Sequence, residues 1–354
     1  MINEQSSESS SEEAPQLSAD AESVEREGFS LGKAVRNPRT LISLVLVVAI
    51  IFVIVKNFDL DAATIWANMK QANLGLYLLG FVAFYATFPI RAYRWRVLME
   101  NADVPIAEGR KTWASLPALV EYVGLSWFAN CIVPAKLGDA YRGYLLKHNG
   151  GVSFSSTLGT IFAERLLDML CLFAFLMLSA WSVFGVHMPP GTGIIFGGGL
   201  VLVVAIVIGL AGMRFFGPHI RKIVPGRFQR MYVSFEHAAL SSFRPAILPK
   251  LVLLTALVWL LEGMRLYFVI EAMHIDGIGI AAIIFVALAS SLLTAIPATP
   301  GGLGLVEGTV AFVLTTIFSV ELNLATAVTL LDRIINFWSI VVFGLILYIF
   351  SKRK

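Results

Sequence analysis

The chain has 354 residues, 57% of them hydrophobic and 14% charged, with a net charge of +3. A soluble domain carries about a quarter of its residues as charges, so this composition excludes an ordinary globular protein and predicts an all-α polytopic membrane protein. The total says little, because the charge is distributed very unevenly along the chain; nucleic acid is not expected as a partner.

Residues 1–30 include "SSESSSEEAPQLSADAESVE", acidic and almost without apolar side chains. Such a segment buries too little surface to offset its ordering entropy and is read as a disordered cytoplasmic tail. No secretory leader is recognisable. Lys33, Arg36 and Arg39 precede the first apolar run, and a transmembrane domain is expected over 35–350. Full spans are expected at 40–56, 74–92, 155–185, 193–212, 250–272 and 329–350, each near the roughly 20 residues that a bilayer core requires. Two further apolar stretches, 112–135 and 279–320, are broken by "IVPAKLGDAYRG" (132–143) and "AIPATPGGLGLVEG" (295–308). If both cross, the six spans become eight. Cys131 and Cys171 lie in apolar surroundings and read as small core residues rather than a disulfide.

Basic residues cluster before the first span, at 94–111, 136–147 and 214–250, and in the terminal "SKRK". The stretches 184–192, 273–278 and 319–327 contain no Lys or Arg. Short cytoplasmic loops hold the excess of Lys and Arg, so both termini are expected on the cytoplasmic side of the cell (inner) membrane. Segment 112–135 then enters and leaves on the cytoplasmic face, as a re-entrant hairpin. Segment 279–320 begins and ends outside, as a hairpin or two spans. The basic 214–250 loop, with Arg221, Lys222, Arg227 and Arg230, is explained by topology alone or lies on the anionic leaflet.

Two four-part units emerge, 35–185 and 193–350, each with two spans, a broken segment and a last span. They begin on opposite faces, the pattern of an inverted repeat whose broken segments meet near the midplane. The side chains run parallel too. Arg91 and Arg94 in "PIRAYRW" match Glu262 and Arg265 in "LLEGMRL", and Glu164-Arg165 in "FAERLLD" matches Asp332-Arg333 in "LLDRIIN".

An ionisable side chain inside a span costs roughly 2.5–3.5 kcal/mol on insertion scales. Here Glu164, Arg165 and Asp168 share one span, Glu262 and Arg265 another, Asp332 and Arg333 a third, while Glu121 and Glu307 lie in the broken segments. Sequence neighbours on a helix do not face each other, so each is expected to find its partner on another helix. Two readings stand. Acids and bases neutralise one another and hold the bundle together, or Arg165, Arg265 and Arg333 form a phosphate pocket. The planar guanidinium suits phosphate and stays charged when desolvated. A helix beginning at "PGGLG" (300–304) would add backbone N–H groups, with Glu164, Asp332 and Glu307 positioning the arginines or exchanging protons. The sequence lacks GxSxG, HExxH, a P-loop and paired Cys/His ligands, and its five histidines are scattered. Asp139 and Asp168 could hold a divalent ion on a lipid phosphate, but Asp139 has no second carboxylate at close spacing. No metal or cofactor is expected.

The stretches "ANCIVPAKLGDAYRGYLLK" (129–147), "FAERLLDML" (162–170) and "AIPATPGGLGLVEG" (295–308) resemble the membrane region of lysylphosphatidylglycerol synthases and their stand-alone, flippase-like relatives, over about residues 35–350. The resemblance implies a domain that moves or presents a lipid between leaflets. It also places Asn130, Gly138, Asp139, Arg142, Glu164, Arg165, Gly301, Gly302, Gly304 and Glu307 in or around the lipid path. The full synthases continue into a soluble domain that transfers lysine from tRNA to phosphatidylglycerol. This chain stops after its last span, so no enzyme is expected. The expected activity is flippase or scramblase movement of an anionic or polyprenyl-phosphate lipid without nucleotide hydrolysis. The alternative is a subunit presenting lipid to a separate glycosyl- or aminoacyl-transferase.

Overall fold

The computed structural model describes residues 60–104, 112–133, 137–186, 192–293 and 300–353. The acidic stretch 1–30, the expected span at 40–56, and Pro134, Lys136 and Pro297 lie outside them. The described residues form helices, with no strand among them. In chain order these are α1 (Ala62–Lys70), α2 (Leu74–Asn101), α3 (Leu116–Ile132), α4 (Leu137–Gly150), α5 (Phe154–Phe184), α6 (Thr192–Ile223), α7 (Gly226–Ser241), α8 (Leu248–Ala272), α9 (Ile280–Leu293), α10 (Leu305–Thr316), α11 (Leu322–Arg333) and α12 (Ser339–Phe350). A π-helical turn, Ile334–Trp338, joins α11 to α12 as one run.

Five of the described helices are long and apolar enough to cross a membrane: α2, α5, the Phe196–Ile223 part of α6, α8, and the run Leu322–Phe350. They correspond to the five expected spans within the described residues. Several extend further than hydropathy suggested, because charged residues such as Arg94 and Arg221 continue the helix after the apolar stretch ends. Polar caps set the starts. Asn73 accepts a hydrogen bond from the Leu76 N–H (3.2 Å) at the head of α2, and Ser115 from the Ala118 N–H (3.4 Å) at the head of α3.

Two sets of contacts define the ends of the bundle. At one end the Asn73 N–H donates to the Ala272 carbonyl (2.8 Å), and the Asp61 N–H to the Asn323 side chain (3.0 Å). At the other, Arg244 pairs with Asp103 (3.0 Å), Glu121 pairs with Arg353, and Asn149 donates to the Arg353 carbonyl (2.8 Å). The start of α2, the end of α8 and the start of α11 therefore share the first end.

This arrangement corrects the reading of 112–135. That segment does not fold back on itself: Leu116–Ile132 is one continuous helix. The return limb is α4, read from sequence as a basic cytoplasmic loop. Helix α4 packs antiparallel along α3 and brings Gly150 against the Trp113 ring. Both ends of this helix pair thus lie at the second end of the bundle. Helices α9 and α10 form a similar pair that leaves from and returns to the first end, since α9 follows α8 and α10 leads into α11.

The core is built around α2 and α8, which pack closely along their length, with α3, α5, α9 and the α11–α12 run around them. Helix α7 lies along α5, and its buried Glu236 accepts both bonds of a bidentate pair from Arg221 (3.0 and 3.1 Å). Helix α6 is little covered, with Leu200, Val201, Val207 and Ile208 exposed, as befits an apolar helix in hydrocarbon. Cys131 and Cys171 are buried and unbridged.

Candidate functional site

The ends of the two short helix pairs meet in the middle of the bundle, where α3 touches the 300–302 turn. Between them lies a cavity of about 170 Å³. Its wall carries Arg91, Arg165, Arg265 and Arg333, with Asp168 and Glu262 as carboxylates and Asn130, Ser290, Ser291 and Asn336 as neutral polar groups. Phe84, Trp127, Trp259 and Phe337 supply aromatic surface.

Behind this wall the charges form a connected network. Arg94, fully buried on α2, donates to Asp168 (2.5 Å) and Glu164 (3.0 Å) on α5 and to the Thr255 hydroxyl (2.7 Å) on α8. The second oxygen of Glu164 accepts from Arg142 of α4 (2.7 Å), whose guanidinium lies 4.5 Å from the centre of the Trp95 ring. Arg165 grips both oxygens of Asp139 in bidentate fashion (2.7 and 2.8 Å). Asp139 sits in the first turn of α4, where the helix dipole favours a negative charge. In the other half, Glu262 accepts from Arg91 (3.1 Å) and Arg265 (3.3 Å), and Arg265 also pairs with Asp332. Arg333 donates to Glu307 (2.6 Å), to the Gly301 carbonyl (3.0 Å) and to Asn336 (3.3 Å). Charges this deep in an apolar bundle are tolerated only when paired and hydrogen-bonded.

Glycine is required where the chain turns into each short helix pair. A Cβ on Gly138 would collide with the Ser126 carbonyl, and the Gly138 N–H is held by the Asn130 side chain (2.8 Å). Gly301 has φ +56°, and a Cβ there would strike the Phe337 ring. Glu307 closes this turn by accepting from the Gly304 N–H (2.7 Å) while it holds Arg333.

Of the residues singled out from sequence, Arg165, Arg265, Arg333, Asn130, Asp168, Glu262, Gly301 and Gly302 line the cavity. Asp139, Arg142, Glu164, Gly304, Glu307 and Asp332 are not part of its wall; they stand behind it as partners or at the turn. The expectation of partners on different helices holds for Glu164, Arg165, Asp332 and Arg333. Glu262 and Arg265 also bond within one helix, at i,i+3, and Arg165 lies 3.8 Å from Asp168 at the same spacing. Sequence reasoning missed Arg91, Trp127, Trp259, Asn336 and Phe337 as wall residues. Only Arg91 carried a signal, standing one helical turn from Arg94 within "PIRAYRW".

The family described as lysylphosphatidylglycerol synthase TM region matches residues 40–344. A UPF0104 membrane protein of Methanocaldococcus jannaschii is 34% identical over 227 residues, covering 64% of this chain and 95% of the relative. Another, from Pyrococcus horikoshii, is 23% identical over 310 residues, covering 80% and 90%. The glycosyltransferase AglD of Haloferax volcanii is 23% identical over 111 residues, 31% of this chain and 16% of that protein. No solved structure matches the chain.

Proposed function

We propose a lipid-handling role for this multi-pass membrane chain, which belongs to the lysylphosphatidylglycerol synthase transmembrane-region family. It moves a phosphate-bearing lipid between leaflets, as a flippase or scramblase, without nucleotide hydrolysis. The observation that carries this reading is the cavity wall, where four arginines face two carboxylates in the middle of an apolar bundle. Each of these arginines is paired with a carboxylate, so the wall offers guanidinium donors rather than net charge, and guanidinium forks suit phosphate oxygens.

The short helix pairs are the moving parts. Helices α3, α9 and α10 have 17, 14 and 12 residues, about 18–26 Å at the α-helical rise, against a hydrocarbon core of about 30 Å. They read as re-entrant hairpins from opposite faces, α3–α4 from the cytoplasmic side that also holds both termini, and α9–α10 from outside. The ion pairs support an inverted repeat. Arg165 pairs with Asp139 26 positions earlier, and Arg333 with Glu307, also 26 positions earlier. In each case the carboxylate stands on the first turn of the returning hairpin limb. Likewise Arg94 of α2 pairs with Glu164, the residue before Arg165, as Arg265 of α8 pairs with Asp332, the residue before Arg333. Each hairpin is thus latched to the long helix after it, and loosening one latch at a time exposes the cavity to one face.

A second reading is favoured by one observation: a segment of this type recurs within a larger protein named as a glycosyltransferase. In that case the chain presents a lipid to a separate transferase. Direct catalysis through a metal on Asp139 is disfavoured, because Arg165 occupies both of its oxygens.

Proteoliposomes carrying labelled neutral, phosphatidylglycerol-type and polyprenyl-phosphate lipids in one leaflet test the proposal. Movement selective for a phosphate headgroup, lost in Arg165→Ala, is expected. Movement that survives both Arg165→Ala and Arg333→Ala would sink the arginine-cavity mechanism. No movement, with a lipid still retained through purification, would shift the reading to the presenting subunit.

A further inference from the structure

The four arginines on the cavity wall differ in how much of each guanidinium is in use. Arg333 donates from all three nitrogens. Arg165 gives two nitrogens to Asp139, and its third lies 3.8 Å from Asp168. Arg265 is shared between Glu262 and Asp332. Arg91 gives one terminal nitrogen to Glu262, and its Nε is buried without an acceptor. Three residues before Glu262 on α8, the indole Nε1 of Trp259 is also buried without an acceptor. Both side chains are more than nine-tenths buried and both line the cavity. Arg91 is held 4.8 Å from the centre of the Trp127 ring, so it is positioned yet incompletely bonded.

A buried donor with no acceptor bears its full desolvation cost; two wall residues carry one each, as Arg94 and Arg142 do at Nε behind the wall. The position of Trp259 and Glu262 at i,i+3 places the indole on the same face of α8 as the carboxylate that Arg91 holds. The two side chains thus stand at one corner of the wall, between α2 and α8, with both donor atoms closed to water.

We propose that Arg91 Nε and Trp259 Nε1, uncovered when the wall opens around a ligand, are the donors that take its phosphate oxygens. This rests on the reading of the cavity as a phosphate site. Arg165, Arg265 and Arg333 are then positioning residues, holding carboxylates and hairpins in place. Because α2 and α8 belong to different halves of the chain, a phosphate held by both donors ties the halves together at their closest packing.

The test uses the full chain purified in a neutral detergent, with lipid binding read by native mass spectrometry. The probes are phosphatidylglycerol, a polyprenyl phosphate, diacylglycerol as the phosphate-free comparison, and inorganic phosphate. Trp259→Phe keeps the ring and drops the N–H; Arg91→Lys keeps the charge and drops the Nε donor. Each is expected to weaken binding of the preferred phospholipid about tenfold, the size of one hydrogen bond to a charged acceptor. Diacylglycerol binding should not change. Trp181→Phe, at an exposed position on α5, should match the wild type. If Trp259→Phe and Arg91→Lys both bind like the wild type while Arg165→Ala does not bind, the donor assignment falls and the cavity reading stands. If neither phospholipid binds more tightly than diacylglycerol, both fall. Inorganic phosphate that binds as tightly, with the same dependence on Trp259, would confirm the donors and overturn the lipid as their ligand.

Discussion

Removing Glu307 should cost this fold more than any surface ion pair, because one side chain does two tasks. It holds Arg333 at 2.6 Å and accepts from the Gly304 N–H at 2.7 Å, closing the turn that starts α10. The Arg333 side chain is 5% exposed, and that of Glu307 is 23% exposed. Stripping the partner from a buried charge costs about 3–5 kcal/mol; the partial exposure of Glu307 argues for the lower end. Loss of the cap adds about 1 kcal/mol, so Glu307→Ala should destabilise by roughly 4 kcal/mol. Glu307→Gln keeps an acceptor for the cap and a neutral bond to Arg333, and should cost about half as much. Denaturant unfolding in one detergent reads these differences, with Glu100→Ala as the reference. Glu100 pairs with Arg96 at 40–43% exposure, a pair worth about 0.5 kcal/mol or less. The double variant Glu307→Ala/Arg333→Ala should fall short of the sum of its singles by about 2 kcal/mol. Additive effects, or a Glu307→Ala cost no larger than that of Glu100→Ala, would refute the reasoning. Asp139→Ala should resemble Glu307→Ala, since Arg165 takes both Asp139 oxygens; a benign Asp139→Ala would remove the equivalence of the two hairpins.

Gly301→Ala must hold an L residue at φ +56° and push a methyl into the Phe337 ring. The backbone alone costs roughly 1–2 kcal/mol, so a loss of about 3 kcal/mol in the same unfolding assay is expected, partly recovered by Phe337→Leu. Asp61, outside the spanning helices, has its pKa held below the ordinary 3.8 by hydrogen bonds from the Thr64 hydroxyl and the Ala63 N–H. A depressed folded pKa stabilises above the unfolded value, and that contribution is lost as pH falls through the folded one. Protection factors in α1, corrected for the intrinsic pH dependence of amide exchange, should therefore fall below about pH 4. Asp61→Asn, which keeps an acceptor, should remove that pH dependence; an unchanged profile would contradict the capping role.

Long apolar runs were legible because a membrane helix advertises itself by composition alone. The 40–56 run lies outside the described residues, and the five others match helices of spanning length. Helix α4 was not legible. Its "LGDAYRGYLLKHNG" mixes Asp139, Arg142 and Lys147 with apolar residues, so hydropathy and the positive-inside count both assign it to a loop. Burial of Arg142 against Glu164 reverses that assignment, and no local signal announces a partner 22 residues away. The intramembrane charges were visible because they are costly, but their pairing was not. Trp259, Phe337 and Asn336 are ordinary residues in apolar helices; only the convergence of α3, α8 and the 300–302 turn makes them cavity wall. The π turn at Ile334–Trp338 rotates Asn336 and Phe337 relative to an α-helix, which a 3.6-residue reading misplaces.

The charge balance of the network bears on how tightly a ligand can be held. Arg91, Arg94, Arg142, Arg165, Arg265 and Arg333 face Asp139, Glu164, Asp168, Glu262, Glu307 and Asp332, so this set is neutral when all are ionised. An anion entering a neutral network meets no standing excess of charge. It gains bonds only from donors not already in use, or by displacing a carboxylate that then lacks its partner. Such a site binds weakly and lets go readily. A storage or scavenging site at nanomolar affinity needs about 12 kcal/mol of binding energy, and its slow release would halt the passage of lipid between leaflets. Pairing each arginine with a carboxylate therefore does more than let the bundle tolerate buried charge. Under the proposed function, it keeps the path selective for phosphate without making it a trap.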